Sequence, residues 1–570
     1  MPLVSQTFSQ LIDFTRTTAG TYVDSTGKIV NTPASRNLLT FTQQFDNAAW
    51  SKNNAAVTAN TTTAPDGTLT ADKLAETATT AVHNAGQSIT TSAVAYSFSC
   101  YVKAAERNFA LLYHTQSNSS LAVNLTTGAT GTASGTVAPT SSSVVAVGNG
   151  WWRVSMTVTA TAASNFFGVY VMNDLVNASY AGVAGSGILI WGAQLEQASS
   201  ATDYTRNVGG VFPPRFDYDP VTLAPRGLLI EEQRVNLLLR SEEFDNASWA
   251  KLACSVTANS TAAPDGATVA DTLVESATTD THFLYVAPTL SAGSHTLSLY
   301  YKIPSARKIA LYHSVTNTGR QFDASGNQSA GLFATPSGGA TVAAVGNGRY
   351  RATITVTATA GANEFRLWMV RGSDDAINYA GDGTSGIFIY GAQLEAGAFA
   401  TSYIPTVASQ VTRAADVAAI TGPNFTPWYN QSAGTFVVSV DSYAEQAGVN
   451  AYNILSANDG TTNNYIRNYI YATNAGETVR TAASTVADVA RGTWSQNVPF
   501  NLAATYAAND FIVALNGTLS SADTSGAVPT ANQLALGANN GVGSYLNGHI
   551  RSIRYYPSRL SNAQIQALTA

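Results

Sequence analysis

Leu297-Ser298-Leu299-Tyr300-Tyr301-Lys302-Ile303 alternates residue by residue. Leu297, Leu299, Tyr301 and Ile303 fall on one side, Ser298, Tyr300 and Lys302 on the other. A period of two with one apolar face is the pattern of an antiparallel strand laid on a core. The same pattern recurs at Phe98, Cys100 and Val102 against Ser99, Tyr101 and Lys103, and at Tyr350, Ala352, Ile354 and Val356 against Arg351, Thr353 and Thr355. Gly-rich turns bound these runs, and no long 3.6-residue periodicity appears between them. The fold class that follows is all-β, built as tandem antiparallel β-sandwiches.

The first two of these runs match each other across a duplication. Asn37-Leu38-Leu39 recurs as Asn236-Leu237-Leu238, and Phe45-Asp46-Asn47 with Trp50 recurs as Phe244-Asp245-Asn246 with Trp249. Ala64-Pro65-Asp66-Gly67 recurs as Ala263-Pro264-Asp265-Gly266, Tyr113-His114 as Tyr312-His313, and Gly192-Ala193-Gln194-Leu195-Glu196 as Gly391-Ala392-Gln393-Leu394-Glu395. A period near 200 residues describes two whole domains, not a solenoid, whose repeats are far shorter. The duplicated sandwiches occupy 35–207 and 233–415.

A third unit, 416–570, is different. Phe436, Val438 and Val440 alternate, as do Phe511, Val513 and Leu515 before Asn516-Gly517, a hairpin turn whose central positions both need positive φ. Ser561 and Gln564 form a capping box ahead of Ile565 and Leu568, so a short helix closes the chain. Two charge- and Pro-richer segments, 1–34 and 208–232, read as a small attachment module interrupted by the first sandwich. The first holds Ile12-Asp13-Phe14-Thr15-Arg16 and Tyr22-Val23-Asp24; the second holds Pro213-Pro214-Arg215-Phe216-Asp217-Tyr218-Asp219-Pro220 and Arg226-Gly227-Leu228-Leu229-Ile230-Glu231.

Composition narrows the function. The chain has 570 residues, 45% hydrophobic and only 11% charged, with net charge −6 and Lys at seven positions. It can bury several cores, and it lacks the dense basic footprint of a general nucleic-acid binder. Two cysteines exclude a disulfide framework and a Cys-based zinc site. Met1 to Arg16 carries no signal-peptide pattern, and no apolar run reaches the ~18 residues of a membrane span. A β-rich, charge-poor chain of this kind suits a component assembled inside a cell and released by lysis.

The stretch Arg215-Phe216-Asp217-Tyr218-Asp219-Pro220 through Arg226-Gly227-Leu228-Leu229-Ile230-Glu231, with the following Asn236-Leu237-Leu238, Phe244-Asp245-Asn246 and Trp249, resembles a segment of tailed-bacteriophage fibre and spike proteins. In many of those, Phe14-Thr15-Arg16 and Tyr22-Val23-Asp24 run almost directly into it; here the first sandwich is inserted between them. The two copies resemble carbohydrate-binding-module sandwiches. The C-terminal unit, most recognisably Gly548-His549-Ile550-Arg551, Tyr555-Tyr556-Pro557 and Leu560-Ser561-Asn562-Ala563-Gln564, resembles a concanavalin A-like or laminin-G-like jelly roll. The resemblance implies a non-enzymatic adhesin on the particle surface, assembled in the host cytoplasm, trimeric, and docked to head or tail proteins through 1–34 with 208–232. Its partner would be host surface polysaccharide or capsule, with neither nucleic-acid binding nor membrane insertion. The alternatives are a structural decoration protein without sugar binding and, further off, a capsule depolymerase.

Enzyme signatures are wanting. Gly27-Lys28 lacks the P-loop glycine, Tyr22 standing in its place, and neither His-Glu-x-x-His nor Gly-x-Ser-x-Gly occurs. Carboxylates matched between copies are Asp46/Asp245, Asp66/Asp265, Asp72/Asp271, Glu76/Glu275 and Glu196/Glu395. Asp66 and Asp265 read as turn residues. Glu196 and Glu395 read as strand-end contacts, the alternative being a structural calcium of the kind carbohydrate-binding modules hold; no other cofactor is expected. The matched histidines His83/His282 and His114/His313 read as hydrogen-bonded core residues, and Cys100 as a small buried hydrophobe. The candidate ligand platform is the face opposite the core: Tyr101 with Lys103 and Arg153, and Tyr300 with Lys302 and Arg351. The competing reading is that another element covers that face. Trp151-Trp152 and Trp191/Tyr390 carry the same ambiguity. In the third unit, Asp459 of Asn458-Asp459-Gly460, beside Asn463-Asn464, is a candidate for a lectin-type loop, against a plain turn.

Overall fold

The computed structural model describes residues 11–32, 37–210, 212–443, 451–471, 474–538 and 543–570. The first ten residues, on which the leader reading partly rests, lie outside these. The chain divides into two compact units: Met1–Thr17, Pro33–Pro213 and Ala418–Trp428 form one, and Thr18–Thr32, Pro214–Val417 and Tyr429–Ala570 the other.

The first unit is a two-sheet sandwich. One sheet runs in the order Thr130–Gly131, Ser119–Asn124, Phe109–His114, Ser164–Met172, His83–Thr90, Ser51–Asn53. The other runs Ser141–Gly148, Trp151–Thr159, Ala95–Ala104, Gly187–Glu196, Ala71–Glu76, Ala55–Thr62. Every pairing is antiparallel. Phe98, Cys100 and Val102 enter the core between the sheets, as their alternation requires. Burial pushes the Cys100 thiol up to about 12, so it behaves as an inert apolar group.

The second unit contains the duplicate, with the same strand order, and Leu297, Leu299, Tyr301 and Ile303 lie in its core. It also contains the C-terminal sandwich. One sheet there runs Gln533–Leu536, Ala451–Asn458, Tyr465–Tyr471, Asn474–Thr481, Ser484–Thr493. The facing sheet runs Arg215–Tyr218, Pro225–Ile230, Gly548–Tyr556, Ala433–Ser442, Phe500–Ala507, Asp510–Leu515, Thr518–Leu519. The segment expected to form part of a separate attachment module is therefore two strands of the C-terminal sandwich. Leu228, Leu229 and Ile230 pair with Ile550, His549 and Gly548 because that sheet would otherwise present an unpaired edge. From the other expected module segment, the hairpin Thr21–Val23/Ile29–Asn31 lies against these strands: the Val23 N–H donates to Asp217 Oδ1 at 2.5 Å, and Arg215 Nη1 donates to the Thr21 carbonyl at 3.0 Å.

Local signals hold where they were strong. Asn516 and Gly517 take φ 44° and 77° in the hairpin between Asp510–Leu515 and Thr518–Leu519. The helix Asn562–Thr569 starts on Ser561 with both halves of the capping box formed. Ile565 is buried against Val437, Ile512 and Ala514, so the helix covers the outer face of the second sheet.

Candidate functional site

The duplicated motifs prove to be fold determinants. In Gly192-Ala193-Gln194-Leu195-Glu196 the strand bulges, Gly192 takes φ +60°, and a Cβ there would meet the Tyr101 ring at 3.0 Å. Gln194 Oε1 accepts the Thr205 N–H at 2.6 Å, and Glu196 accepts the Thr202 N–H at 2.8 Å and its hydroxyl at 2.7 Å. In the duplicate, Gln393 accepts the Ile404 N–H at 2.6 Å, and Glu395 accepts the Thr401 N–H at 2.9 Å and its hydroxyl. The motif thus turns the chain back across the outer face of the sheet and fastens it there. Both carboxylates are spent on that strand-end contact.

This crossing segment decides the fate of the expected platform. Arg153 Nη2 donates to the Thr202 carbonyl and lies 5.5 Å over the Tyr101 ring, which meets Trp191 at 5.2 Å and Tyr204 at 6.1 Å. Arg351 donates to the Thr401 carbonyl at 2.7 Å and to Ser298 Oγ at 2.9 Å, and lies 5.2 Å over Tyr300. Tyr300 is only 4% exposed, packed with Tyr390, Tyr403 and Ile29. The expectation of an exposed aromatic at Tyr300 is corrected: the chain's own return segment and a hairpin cover it. Tyr101 is half-buried for the first of these reasons. Lys103 stands 5.9 Å over the Trp151 ring. Lys302 is half-buried and lines a cleft.

Asp459 serves its own loop. Its Oδ1 accepts the Thr461 N–H at 2.9 Å and hydroxyl at 2.6 Å, and its Oδ2 accepts Asn464 Nδ2 at 2.8 Å, which is the plain turn. Two further matched pairs of acids are similarly committed. Glu76 and Glu275 pair with Arg107 and Arg307, and Asp72 and Asp271 accept the Phe45 and Phe244 N–H groups at 2.8 and 2.9 Å. His114 and His313 are fully buried and bond Asn165 and Asn363 at 2.9 and 3.0 Å. Among the described residues no group of three or more His, Cys, Asp or Glu is placed to hold a metal ion.

The site the structure does offer lies in the second unit, where segments distant in sequence converge. A cleft of 450 Å³ opens between the hairpin, the duplicate's Ala340–Ala344 edge and the C-terminal sandwich. That volume falls within the usual range for small-ligand sites. Tyr22, Asp219, Arg226, Gln496 and Asn497 supply hydroxyl, carboxylate, guanidinium and amide groups; Val342, Val345 and Phe399 supply apolar wall. Asp217 and His549 form its floor. His549 Nδ1 meets Asp441 Oδ1 at 2.7 Å and its Nε2 meets Asp217 Oδ2 at 2.8 Å, so both ring nitrogens are committed. Burial works to lower the imidazole pKa, but the Asp441 charge and the two carboxylate hydrogen bonds prevail and raise it.

A folded-state pKa raised above the ordinary 6.5 contributes stability that is complete below that value and lost as pH rises through the folded pKa. The thermal midpoint of the native protein should therefore fall from pH 6.5 into the alkaline range more steeply than that of His549→Gln. Parallel pH profiles would refute the bridging imidazolium.

Of the residues named from sequence, Tyr300 and Arg351 line this cleft, whereas Tyr22, Asp219, Arg226, Gln496 and Asn497 were not among the candidates. A usable signal existed: much of the rim comes from the two charge-rich segments of a charge-poor chain.

No protein-family model matches the chain, and no curated protein matches it in sequence. Among solved structures, 26% of the chain is similar to the CBM40 module of Ruminococcus gnavus IT-sialidase bound to alpha2,3 sialyllactose, at 20% identity and TM-score 0.23 over 88% of that chain. It is also similar, at 17% identity and TM-score 0.23, to a NanB sialidase of Streptococcus pneumoniae, over 26% of each chain. A further 0.23 match, at 15% identity, covers 27% of this chain and 40% of the receptor binding domain of botulinum neurotoxin C/D mosaic serotype. A TM-score of 0.23 carries no ligand from those proteins to this one.

Proposed function

We propose that the protein is a non-enzymatic adhesin of a tailed bacteriophage, a fibre or spike that binds host surface polysaccharide without a cofactor. The observation that carries this is the cleft floored by Asp217 and His549. Its rim of hydroxyl, amide, carboxylate and guanidinium groups beside apolar wall suits a polyhydroxylated ligand, whose rings offer both hydroxyls and C–H faces. The segments that resemble phage fibre and spike proteins supply part of its lining, through Tyr22, Asp217, Asp219 and Arg226, and the segment that resembles a lectin-like jelly roll supplies His549. The commitment of both His549 nitrogens argues for binding, since a general base needs a free nitrogen within reach of its proton. Weak sites would be multiplied by trimerisation and by many copies on the particle surface.

The test is binding of the purified full chain to host cells with and without their surface polysaccharide. Tyr22→Phe and Arg226→Gln, which remove polar groups from the rim and leave the cores intact, should each weaken polysaccharide-dependent binding roughly ten-fold, about 1.4 kcal/mol. Binding to neither cell type would end the adhesin reading. It would favour a structural decoration protein, a reading that gains from the internal use of Tyr101, Tyr300, Arg153 and Arg351.

A further inference from the structure

Beside the first cleft, and sharing Gly27, Pro220 and Val345 with it, lies a second of 560 Å³ in the same unit. Lys28, Lys302 and Arg349 all line it, and no Asp or Glu is among its lining residues. In a chain with seven lysines and net charge −6, three cations around one concavity are a marked local excess.

These cations differ in their commitments. Arg349 Nη2 donates to the Ala262 carbonyl at 2.6 Å, which fixes its guanidinium at the wall. Among the described residues, neither the Lys28 nor the Lys302 ammonium has a hydrogen-bond or ion-pair partner. Asp24, whose carboxylate feels the Lys28 charge, is occupied with its own turn: Oδ1 accepts the N–H of Thr26 at 2.8 Å and of Lys28 at 3.1 Å. Val221 and Leu223 are 56% and 46% exposed and form an apolar ledge in the same cleft. Leu223 holds φ +60°, a conformation a bulky residue rarely adopts, and its N–H is tied to the Asp219 carbonyl at 2.9 Å. An anionic group for the ammonium ions and a C–H face for the ledge are what an acidic sugar residue presents together.

The first sandwich carries a different set of residues at the matching positions. Lys103 matches Lys302, but Trp151 stands where Arg349 does and takes Lys103 over its ring. The hairpin bearing Lys28 occurs once in the sequence, so the first sandwich has no counterpart to it.

We infer that this cleft recognises the anionic group of an acidic sugar residue, which makes the ligand an acidic polysaccharide. The inference rests on the polysaccharide-binding reading and narrows it.

The test uses the full chain and three polymers: polygalacturonate, dextran sulfate and neutral dextran. Binding at low ionic strength to one or both polyanions, and not to dextran, is the expected result; the polyanion preferred identifies carboxylate or sulfate ester as the recognised group. Lys28→Gln/Lys302→Gln should weaken that binding at least about ten-fold and flatten its salt dependence. Arg551→Gln/Arg554→Gln, which removes two cations outside the cleft, should change it less than about two-fold. The inference is overturned if the parent binds neither polyanion, if dextran binds equally, if both doubles lose binding alike, or if the lysine double binds as the parent does. Polysaccharide-dependent cell adhesion that persists in the lysine double would sink this inference and leave the adhesin reading standing. Loss of adhesion by Tyr22→Phe and Arg226→Gln bears on that reading alone.

Discussion

Replacing Glu231 with alanine is expected to cost the second unit about 3–5 kcal/mol, the range for removing one partner from a buried ionic cluster. Glu231, Arg215, Arg413 and Asp416 are all fully buried. Glu231 pairs with Arg215 at 2.7 Å and with Arg413, and it accepts the Ser402 N–H and hydroxyl at 2.7 Å each and the Tyr443 hydroxyl at 2.8 Å. Arg215 also pairs with Asp416, whose Oδ2 accepts the Glu231 N–H at 2.9 Å. Two cations and two anions balance, so loss of Glu231 leaves a net positive charge with no water to screen it. The cluster joins the strands that flank the cleft, the return segment at Ser402 and the C-terminal sandwich. The measurement is chemical denaturation followed by tryptophan fluorescence. A loss below about 1 kcal/mol would mean that water reaches the cluster and screens it.

The second large effect has the opposite sign. Glu477, in Asn474–Thr481, faces Asn468 directly across the ladder, and both are buried in the C-terminal sandwich. Among the described residues neither Glu477 oxygen has a hydrogen-bond partner, nor does the Asn468 amide. Burial alone pushes the Glu477 carboxyl well above the ordinary 4.5. The folded state therefore holds a proton that the unfolded chain releases above that pH, and stability declines as pH rises from there toward the folded pKa. Glu477→Met removes both the unmet polar atoms and this dependence. At pH 8 it should stabilise the protein by about 1–3 kcal/mol, the usual scale for a buried polar group without a partner. The gain should shrink as pH falls toward 4.5. Thermal melts across pH 4.5–8 check both points, and a gain independent of pH would show that Glu477 is ionised in place.

Much of the fold was legible because it is written locally. Alternation at Phe98–Val102 and Leu297–Ile303 needs only neighbouring residues to be read, as do the Asn516-Gly517 turn and the Ser561–Gln564 box. What covers the second face of a sheet is not local. Tyr300 alternates as an exposed residue should, and nothing within ten residues announces that 401–403 and the hairpin at 21–31 will lie upon it. The strand Pro225–Ile230 reads from sequence as part of an attachment module for the same reason, since its partner strand is Gly548–Tyr556. The candidate site suffered from a subtler bias. Residues matched between the copies were the natural candidates, yet repetition here preserves the means of folding, as Glu196/Glu395 and Arg153/Arg351 demonstrate. The cleft-lining residues Tyr22, Lys28 and Arg226 come from segments present once.

That strand pairing also sets a timetable for synthesis. The ribosome finishes Pro225–Ile230 roughly 320 residues before Ile550, the partner of Leu228, emerges; at ~5–20 residues per second this is roughly 15–60 s. The duplicated sandwich can close in the meantime, because its strands lie wholly between the two. The waiting strand, with Leu228, Leu229 and Ile230 in a row, is an unpaired apolar edge during that interval. Nascent chains halted before residue 548 are the species in which aggregation or chaperone capture should concentrate.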